Sequence, residues 1–296
     1  MKEIYLAGGC FWGVEHFFKG VDGVAKATPG YANGIIENPS YEQVYTDTTG
    51  FAETVKVEYN PARVSLQQLL RYFFAIIEPD SLNRQGHDEG TRYRTGVYYT
   101  DPEDLATIKE AFANVQGPVV TELEPLACFY PAEEYHVDYL DKNPQGYCHL
   151  PLKAFRYLRM YQDLALVIED EPDSIARMSE AAAFIQERMG FFWTGFYRVD
   201  GETLVLGPFQ GPSACLRIRF GRGVCGTAWK ENRTLVVPDV EEFPGHIACS
   251  SLSRSEIVVP VVREGEVVAV LDIDSTETGT FDRIDAAFLE MVADLV

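Results

Sequence analysis

The sequence predicts an α+β protein of two domains, and three observations support this prediction. Its 296 residues exceed the ~100–200 residues usual for one domain. In the N-terminal half, short apolar runs typical of strands alternate with helical patterns. In the C-terminal half, strand pairs surround the turns Asp200-Gly201 and Glu264-Gly265, which predicts antiparallel hairpins flanked by helices. We expect domains at 1–156 and 157–296, joined by a linker near 151–160.

The N-terminal elements follow the order strand, helix, strand, strand, helix, strand, which predicts a split βαβ (ferredoxin-like) sandwich. Several helix starts are marked by residues that cap helices. Asp101 is one of them, and a proline follows it at the first helical position. The best-marked elements are a strand at 4–7, a helix from Cys10 to Lys19, a strand at 54–59, a helix between Ser65 and Pro79, and a strand at 95–100.

The C-terminal elements predict a second sheet with helices before and after it. A helix is expected at 174–189, and a last helix begins after Thr280, where apolar residues recur at helical spacing. Between them lie the two hairpins, with strands at 192–198, 203–206, 256–262 and 267–273.

Charge and cysteine usage narrow the class of protein. A net charge of −20 argues against nucleic acid or an anionic membrane as a partner. No apolar stretch reaches the ~18–20 residues that span a bilayer, and the N-terminus enters a strand without a leader pattern, so we expect a cytoplasmic protein. Six cysteines are too few for a secreted disulfide scaffold. None has the spacing of a metal site, so redox chemistry is favoured and no metal or bound cofactor is expected.

The stretch Gly8-Gly9-Cys10-Phe11-Trp12-Gly13 places a thiol between a strand and a helix. Unpaired N–H groups and the helix dipole favour an anion there, so we expect the Cys10 thiol to ionise readily and act as a nucleophile. Phe11 and Trp12 would form an apolar wall for a small hydrophobic group. The alternative is an inert, buried cysteine.

Gly-Cys-Phe-Trp-Gly resembles the active-site signature of peptide methionine sulfoxide reductase A. The resemblance extends over residues 1 to about 150, through Asn38–Glu42, Gly50–Glu53, Asn83–Arg94 and Phe129–His136, in the order of that family. It implies the split βαβ sandwich and reduction of the S epimer of methionine sulfoxide, free or in peptides and proteins.

The resemblance assigns roles to four residues around the substrate. Glu53 would hold a proton for the sulfoxide oxygen, since an apolar pocket disfavours its charged form. Tyr41 and Tyr93 would hold the same oxygen through their hydroxyls, and Asp88 would contact the substrate backbone. Phe51 departs from the family, which usually has histidine there.

Two more assignments concern the fate of the oxidised thiol. Attack by Cys10 would leave a sulfenic acid, which condenses with a second thiol. Cys148, after a Pro/Gly-containing segment, matches the resolving cysteine, and thioredoxin would reduce the disulfide as the external reductant. Tyr45 stands where some members carry cysteine, and for Cys128 we expect only buried strand packing.

The C-terminal half resembles a GAF domain, and more narrowly free methionine-R-sulfoxide reductase. The matching segments cover about 165–296 and contain all three cysteines of that family. The resemblance implies that Cys249 attacks the sulfoxide and Cys215 resolves it, with Cys225 packed, although Cys225 stays an alternative resolving residue. The segments are Trp193–Tyr197, Gly207–Cys215, Gly221–Ala228, Phe243–Cys249 and Leu271–Ser275.

Three acids match the ligand pocket of that family, namely Glu256, Asp272 and Asp274. The alternating run Leu271–Asp274 puts both aspartates on one face of a strand. These acids would hold the ammonium of a free amino acid or polarise the sulfoxide, and Trp193 would wall the methyl group. Ser250 stands where relatives commonly have aspartate.

Together the halves predict a bifunctional, thioredoxin-dependent reductase that clears both epimers. Two alternatives remain: a ligand-sensing GAF domain that regulates an S-epimer reductase, and a redox-switched interaction module without turnover.

Overall fold

The computed structural model describes residues 1–247 and 250–296. Its contacts divide into two units, Met1–Arg156 and Tyr157–Val296. Each unit contains helices packed with a six-stranded sheet, which confirms the α+β class.

The first unit contains a sheet, its connecting helices and several short elements. In chain order these are β1 (Lys2–Gly8), α1 (Phe11–Lys19), β2 (Val24–Ala32), α2 (Tyr41–Tyr45), β3 (Ala52–Tyr59), α3 (Leu66–Ile76), β4 (Arg84–Gln85), β5 (Asp88–Glu89), β6 (Thr95–Tyr99), α4 (Leu105–Ala113), β7 (Glu122–Pro125), β8 (Phe129–Pro131) and α5 (Tyr139–Lys142).

The strand order of this sheet is β7-β6-β1-β3-β2-β8. In the central order β6-β1-β3-β2 each strand is antiparallel to its neighbours, and α1 and α3 make the two connections of the split βαβ motif, as predicted. The sequence analysis did not identify β7, parallel to β6, or β8, antiparallel to β2. Both are short strands at the edges of the sheet.

Local sequence signals explain where α1 and α3 begin. Cys10 is the N-cap of α1, and this helix buries Val14, Phe17 and Phe18. The Ser65 hydroxyl accepts a hydrogen bond from the Gln68 N–H at 3.0 Å and so caps α3.

The division between the units lies between Arg156 and Tyr157, within the predicted linker near 151–160, and this stretch is part of a helix, α6 (Leu152–Ile168). Buried residues recur in this segment at helical spacing, which a mixed basic and aromatic composition had obscured. The residues at this spacing are Ala154, Tyr157, Leu158, Leu164 and Ile168, and Met160 is buried as well.

The second unit continues after α6 with helices around an antiparallel sheet of order β11-β10-β9-β14-β13-β12. Within the described residues, no helix has both the length and the apolar character to span a membrane. The elements are α7 (Ser174–Met189), β9 (Trp193–Asp200), β10 (Thr203–Gln210), β11 (Arg217–Arg219), α8 (Gly223–Glu231), β12 (Leu235–Val237), β13 (Ser255–Arg263), β14 (Glu266–Ser275) and α9 (Arg283–Leu295).

Candidate active sites

Cys10 lies where β1 gives way to α1, and it is buried. The chain turns there at Gly9, whose φ of +83° favours glycine. A Cβ atom on Gly9 would lie 2.6 Å from Cβ of Gln85, so a side chain is also excluded by space. The backbone thus fixes the thiol at the helix start that the sequence predicts.

The expected ready ionisation of Cys10 is wrong for the ligand-free protein. Burial raises the pKa of the thiol well above its ordinary value, and the nearby carboxyl of Glu53 raises it further. The hydrogen bond from the Trp12 N–H to the sulfur acts in the opposite direction but is outweighed. Desolvation therefore dominates the helix-terminus effect on which the prediction relied.

Glu53 lies beside this helix start and is 2% exposed. Its Oε2 accepts a hydrogen bond from the backbone N–H of Phe11 at 3.0 Å. Burial raises the pKa of Glu53 to about 8, although the Phe11 N–H and the Arg92 charge oppose the shift. Glu53 is therefore protonated at neutral pH and can donate a proton next to Cys10.

The two predicted tyrosines stay protonated in the same environment. Burial, then the Glu53 charge, raises the pKa of Tyr41 to about 12, and the same two causes raise the pKa of Tyr93 further. Cys10 also contributes to both shifts, so the thiol, the acid and the two phenols share one electrostatic environment. Both hydroxyls can donate a hydrogen bond to an oxygen atom there.

Cys148 lies next to Gly13 in the first turn of α1. A Cβ atom on Gly13 would lie 3.0 Å from the Cys148 sulfur, so the missing side chain makes room for this thiol. The Tyr147 hydroxyl donates to Oδ2 of Asp88 at 3.0 Å, and both Asp88 and Cys148 influence the pKa of Cys10. The structure therefore brings Asp88 and Cys148 to Cys10.

The sequence analysis gave no role to His136, although it lies in a matched segment. Nε1 of Trp12 donates to Nδ1 of His136 at 3.1 Å. The His136 ring lies 4.6 Å from the Tyr41 ring and 5.1 Å from the Phe11 ring, between centroids. Trp12 also stacks on Tyr139 at 3.7 Å. These contacts hold Phe11 and Trp12 as an aromatic wall.

Glu133, from the same segment, was missed as well. It accepts the Tyr31 hydroxyl at 2.7 Å and the Tyr41 backbone N–H at 2.8 Å. A carboxylate that bridges two segments fixes the start of α2 and therefore the position of the Tyr41 side chain. The signal available was its place in the matched run Phe129–His136.

The structure shows what surrounds the residues that differ from the resembling family or have no role in it. Phe51 is buried, and its ring contacts the rings of Tyr31 and Tyr130, so an apolar side chain replaces the usual histidine beside Glu53. The Arg92 guanidinium lies over the Tyr45 ring, with Cζ of Arg92 4.2 Å from the ring centroid. Cys128 is half-buried and precedes β8, so its expected burial within a strand is wrong.

The second unit contains a pocket that opens to solvent. Asp272 and Asp274 lie on the same face of β14, as alternation predicts. Asp274 pairs with Glu256 on β13 and with Trp193 on β9, so neighbouring strands bring these side chains together. All four residues line the pocket.

Trp193 forms one wall of this pocket. Its Nε1 donates to the Pro212 carbonyl oxygen at 3.1 Å, and its ring stacks on Phe209 with centroids 5.5 Å apart. Gly211 permits the approach, since a Cβ atom there would lie 2.7 Å from the indole. The ring is therefore fixed in position.

Burial governs the charges of the three acids. It raises the pKa of Glu256 and of Asp272 well above their ordinary values. The Asp274 charge adds to both shifts, and the Asp272 charge adds to the shift of Glu256. Burial raises the pKa of Asp274 to about 6, against a hydrogen bond from Ser253. A cation bound among these acids would relieve both their desolvation and their repulsion.

The predicted cysteines of this unit have different surroundings. Cys215 is half-buried and disulfide-bonded. Cys225 is buried, as expected of a packed residue, but its sulfur also lies 3.8 Å from Oε1 of Glu256. Cys249, the predicted attacking residue, lies outside the described residues.

A buried thiol beside a protonated carboxyl, with a second thiol against the same helix, defines a thiol-dependent oxidoreductase. The peptide methionine sulfoxide reductase family model matches residues 2–164, and the GAF domain model matches residues 173–296. The chain therefore belongs to the peptide methionine sulfoxide reductase family, carries a GAF domain, and is a methionine sulfoxide reductase.

Similar proteins cover the two parts of the chain separately. Peptide methionine sulfoxide reductase MsrA of Clostridium acetobutylicum is 54% identical over 160 residues, which are 53% of this chain and 99% of the relative. The free methionine-R-sulfoxide reductase structure from Neisseria meningitidis is 50% identical and covers 47% of this chain and 84% of its own, with a TM-score of 0.46. The structure of fRMsr of Staphylococcus aureus in reduced form is 44% identical. It covers 47% of this chain and 91% of its own, with a TM-score of 0.46.

Proposed function

We propose that the chain reduces both epimers of methionine sulfoxide at two separate sites, within domains 1–156 and 157–296. The N-terminal site takes the S epimer, free or in peptides and proteins, and the C-terminal site takes the free R epimer. The observation that carries the N-terminal assignment is the contact between Glu53 and the Phe11 N–H, which puts a protonated acid beside Cys10.

In the first step, the Cys10 sulfur attacks the sulfoxide sulfur and Glu53 gives its proton to the sulfoxide oxygen. The hydroxyls of Tyr41 and Tyr93 donate hydrogen bonds to that oxygen. The thiol proton of Cys10 passes to Glu53 and replaces the proton that it gave. The S–O bond of the substrate then breaks as the hydroxyl group moves to the Cys10 sulfur, and the bond between the two sulfurs breaks, which leaves a sulfenic acid on Cys10 and releases methionine. Each group is used in the protonation state that burial favours.

Substrate contacts complete this site. Phe11 and Trp12 face the methyl group, and Asp88 takes a backbone N–H of the substrate. Since Tyr147 already donates to Asp88, the substrate and the segment that carries Cys148 share one carboxylate.

In the second step, the Cys148 sulfur attacks the sulfenic sulfur of Cys10, which forms a disulfide and releases water. An external dithiol then reduces the disulfide by exchange and is itself oxidised. We propose thioredoxin as that reductant, with no bound cofactor. A compartment that keeps thiols reduced, such as the cytoplasm, suits this cycle.

The C-terminal site has the features that a free amino acid requires. Its buried acids can take an ammonium group, and Trp193 can cover a methyl group. We propose that Cys249 attacks the sulfoxide and that Cys215, disulfide-bonded in the structure, resolves the sulfenic acid. Glu256, Asp272 and Asp274 bind the ammonium or protonate the sulfoxide oxygen.

The test follows consumption of each purified free epimer with thioredoxin and its reductase. Cys10→Ser should abolish only S-epimer turnover, and Cys249→Ser should abolish only R-epimer turnover. Cys128→Ser serves as a matched control that should keep both activities. If the wild type left the R epimer untouched, the second domain would be a ligand-binding regulator instead. Loss of both activities in either variant would contradict two separate sites.

A further inference from the structure

Three side chains from separate elements converge within the second unit. Cys225 on α8, Glu256 on β13 and Asp272 on β14 are all buried. One potential ligand atom of each lies within 4.8 Å of the other two. A thiol and two carboxyls in this arrangement combine the ligand types that a borderline-soft divalent cation prefers.

A second observation favours cation binding at this cluster. Asp272 is only 7% exposed, yet its Oδ1 has no hydrogen-bond partner among the residues the structure describes. Within the same part of the chain, neither Glu256 nor Asp272 forms an ion pair with lysine or arginine. Buried carboxyl oxygens without partners are costly, and a bound cation removes that cost.

The spacing between the Cys225 and Glu256 ligand atoms fits tetrahedral zinc. Ligand distances of ~2.3 Å for sulfur and ~2.0 Å for oxygen place the two atoms about 3.5 Å apart around such an ion. The Cys225 sulfur lies 3.8 Å from Oε1 of Glu256, close to that value. Nε2 of His246 lies 3.8 Å from Oε2 of Glu256, the carboxyl oxygen that Cys225 does not approach, so this imidazole borders the cluster without belonging to it.

We propose that Cys225, Glu256 and Asp272 form a binding site for a zinc-class divalent cation. The ion lies among the acids of the pocket and excludes a substrate ammonium from them. Zinc is thus an inhibitor of the C-terminal site and not a cofactor. The inhibition rests on the proposed R-epimer activity, whereas the binding does not.

Binding is tested directly with Co²⁺ as a coloured substitute for Zn²⁺. The full chain is first treated with a mild disulfide-forming oxidant, which closes the redox cysteines. Titration should give one equivalent of Co²⁺ per chain and a thiolate-to-cobalt absorption band, which excess Zn²⁺ removes. Cys225→Ser should abolish the band, and Asp272→Asn should keep it but weaken binding at least tenfold. Cys128→Ser, which removes a thiol of the other unit, should bind as the wild type does.

Other results would overturn the site. These are no band in the wild type, an equal band in Cys225→Ser, or unchanged affinity in Asp272→Asn. Circular dichroism of each variant shows that it has folded, and Asp272→Asn keeps the test valid if Cys225→Ser does not fold.

The inhibition is measured separately, with each epimer under turnover. Zinc should inhibit R-epimer reduction in competition with substrate, and Asp272→Asn should remove zinc protection of the protein against thermal unfolding. Binding without any R-epimer activity in the absence of zinc would reject the proposed function and keep the cation site. R-epimer activity without cation binding would keep the proposed function and reject the cation site.

Discussion

Oε2 of Glu53 accepts a hydrogen bond from the backbone N–H of Phe11 at 3.0 Å, one residue beyond Cys10. The helix start therefore orients the acid and the nucleophile together. Because this N–H satisfies one carboxyl oxygen, the other is available to give its proton to a substrate.

Replacement of Glu53 by Gln should remove the acid and keep the hydrogen bond to Phe11. S-epimer reduction should fall by roughly 10²–10⁴-fold, the usual contribution of a general acid. R-epimer reduction is the internal control and should not change. Single-turnover methionine release measures both, and a loss below tenfold would contradict the role of Glu53.

The pH dependence follows from the raised pKa of Glu53, about 8. A carboxyl with a raised pKa keeps its proton below that value, so S-epimer reduction should decline as the pH rises through about 8. The same raised pKa lowers stability between the unfolded value near ~4.3 and pH 8, because the unfolded state loses its proton first. Single-turnover rates from pH 6 to 10 test this, and Glu53→Gln should lack the declining limb.

Substitution of Gly13 by Ala should separate the two chemical steps. The added methyl would lie 3.0 Å from the Cys148 sulfur and 3.2 Å from Cγ of Leu150, so the resolving thiol must move. Alanine is also a better helix former by about 1 kcal/mol, so α1 itself should not weaken. We expect an unchanged first-turnover burst of methionine and severalfold slower disulfide formation. A slower burst would show that Gly13 serves the first step instead.

Asp272→Asn should stabilise the protein while it removes R-epimer reduction. Burial raises the pKa of Asp272, so its ionisation costs more in the folded state and stability falls as the pH rises above ~3.9. An amide has no such cost, and we expect a gain of about 1 kcal/mol or more at pH 7 in urea unfolding. Asp200→Asn, at an exposed turn, is the control and should stay within about 0.5 kcal/mol. Equal or lower stability of Asp272→Asn would contradict the repulsion among the acids.

Local patterns predicted much of the fold. The helix start at Cys10 was predictable because neighbouring residues decide it, and Asp282 begins α9 with a capping box two residues beyond the expected Thr280. The helix Leu152–Ile168 was missed because its apolar face is interrupted by basic residues.

The electrostatics of the sites could not be read from sequence. The thiol pKa of Cys10 depends on its depth and on Glu53, and both are set by the folded sheet. Cys225, Glu256 and Asp272 meet only in three dimensions, so their spacing along the chain gives no metal signature. Motif resemblance predicts which residues form the sites, and burial determines their protonation.

The central claim is that each epimer oxidises its own pair of cysteines, and disulfide mapping tests it most directly. The fully reduced protein is mixed with one equivalent of a single free epimer, without reductant, alkylated and analysed by peptide mass spectrometry. We predict a Cys10–Cys148 disulfide with the S epimer and a Cys215–Cys249 disulfide with the R epimer. The same pair with both epimers, or no disulfide with the R epimer, would contradict the account.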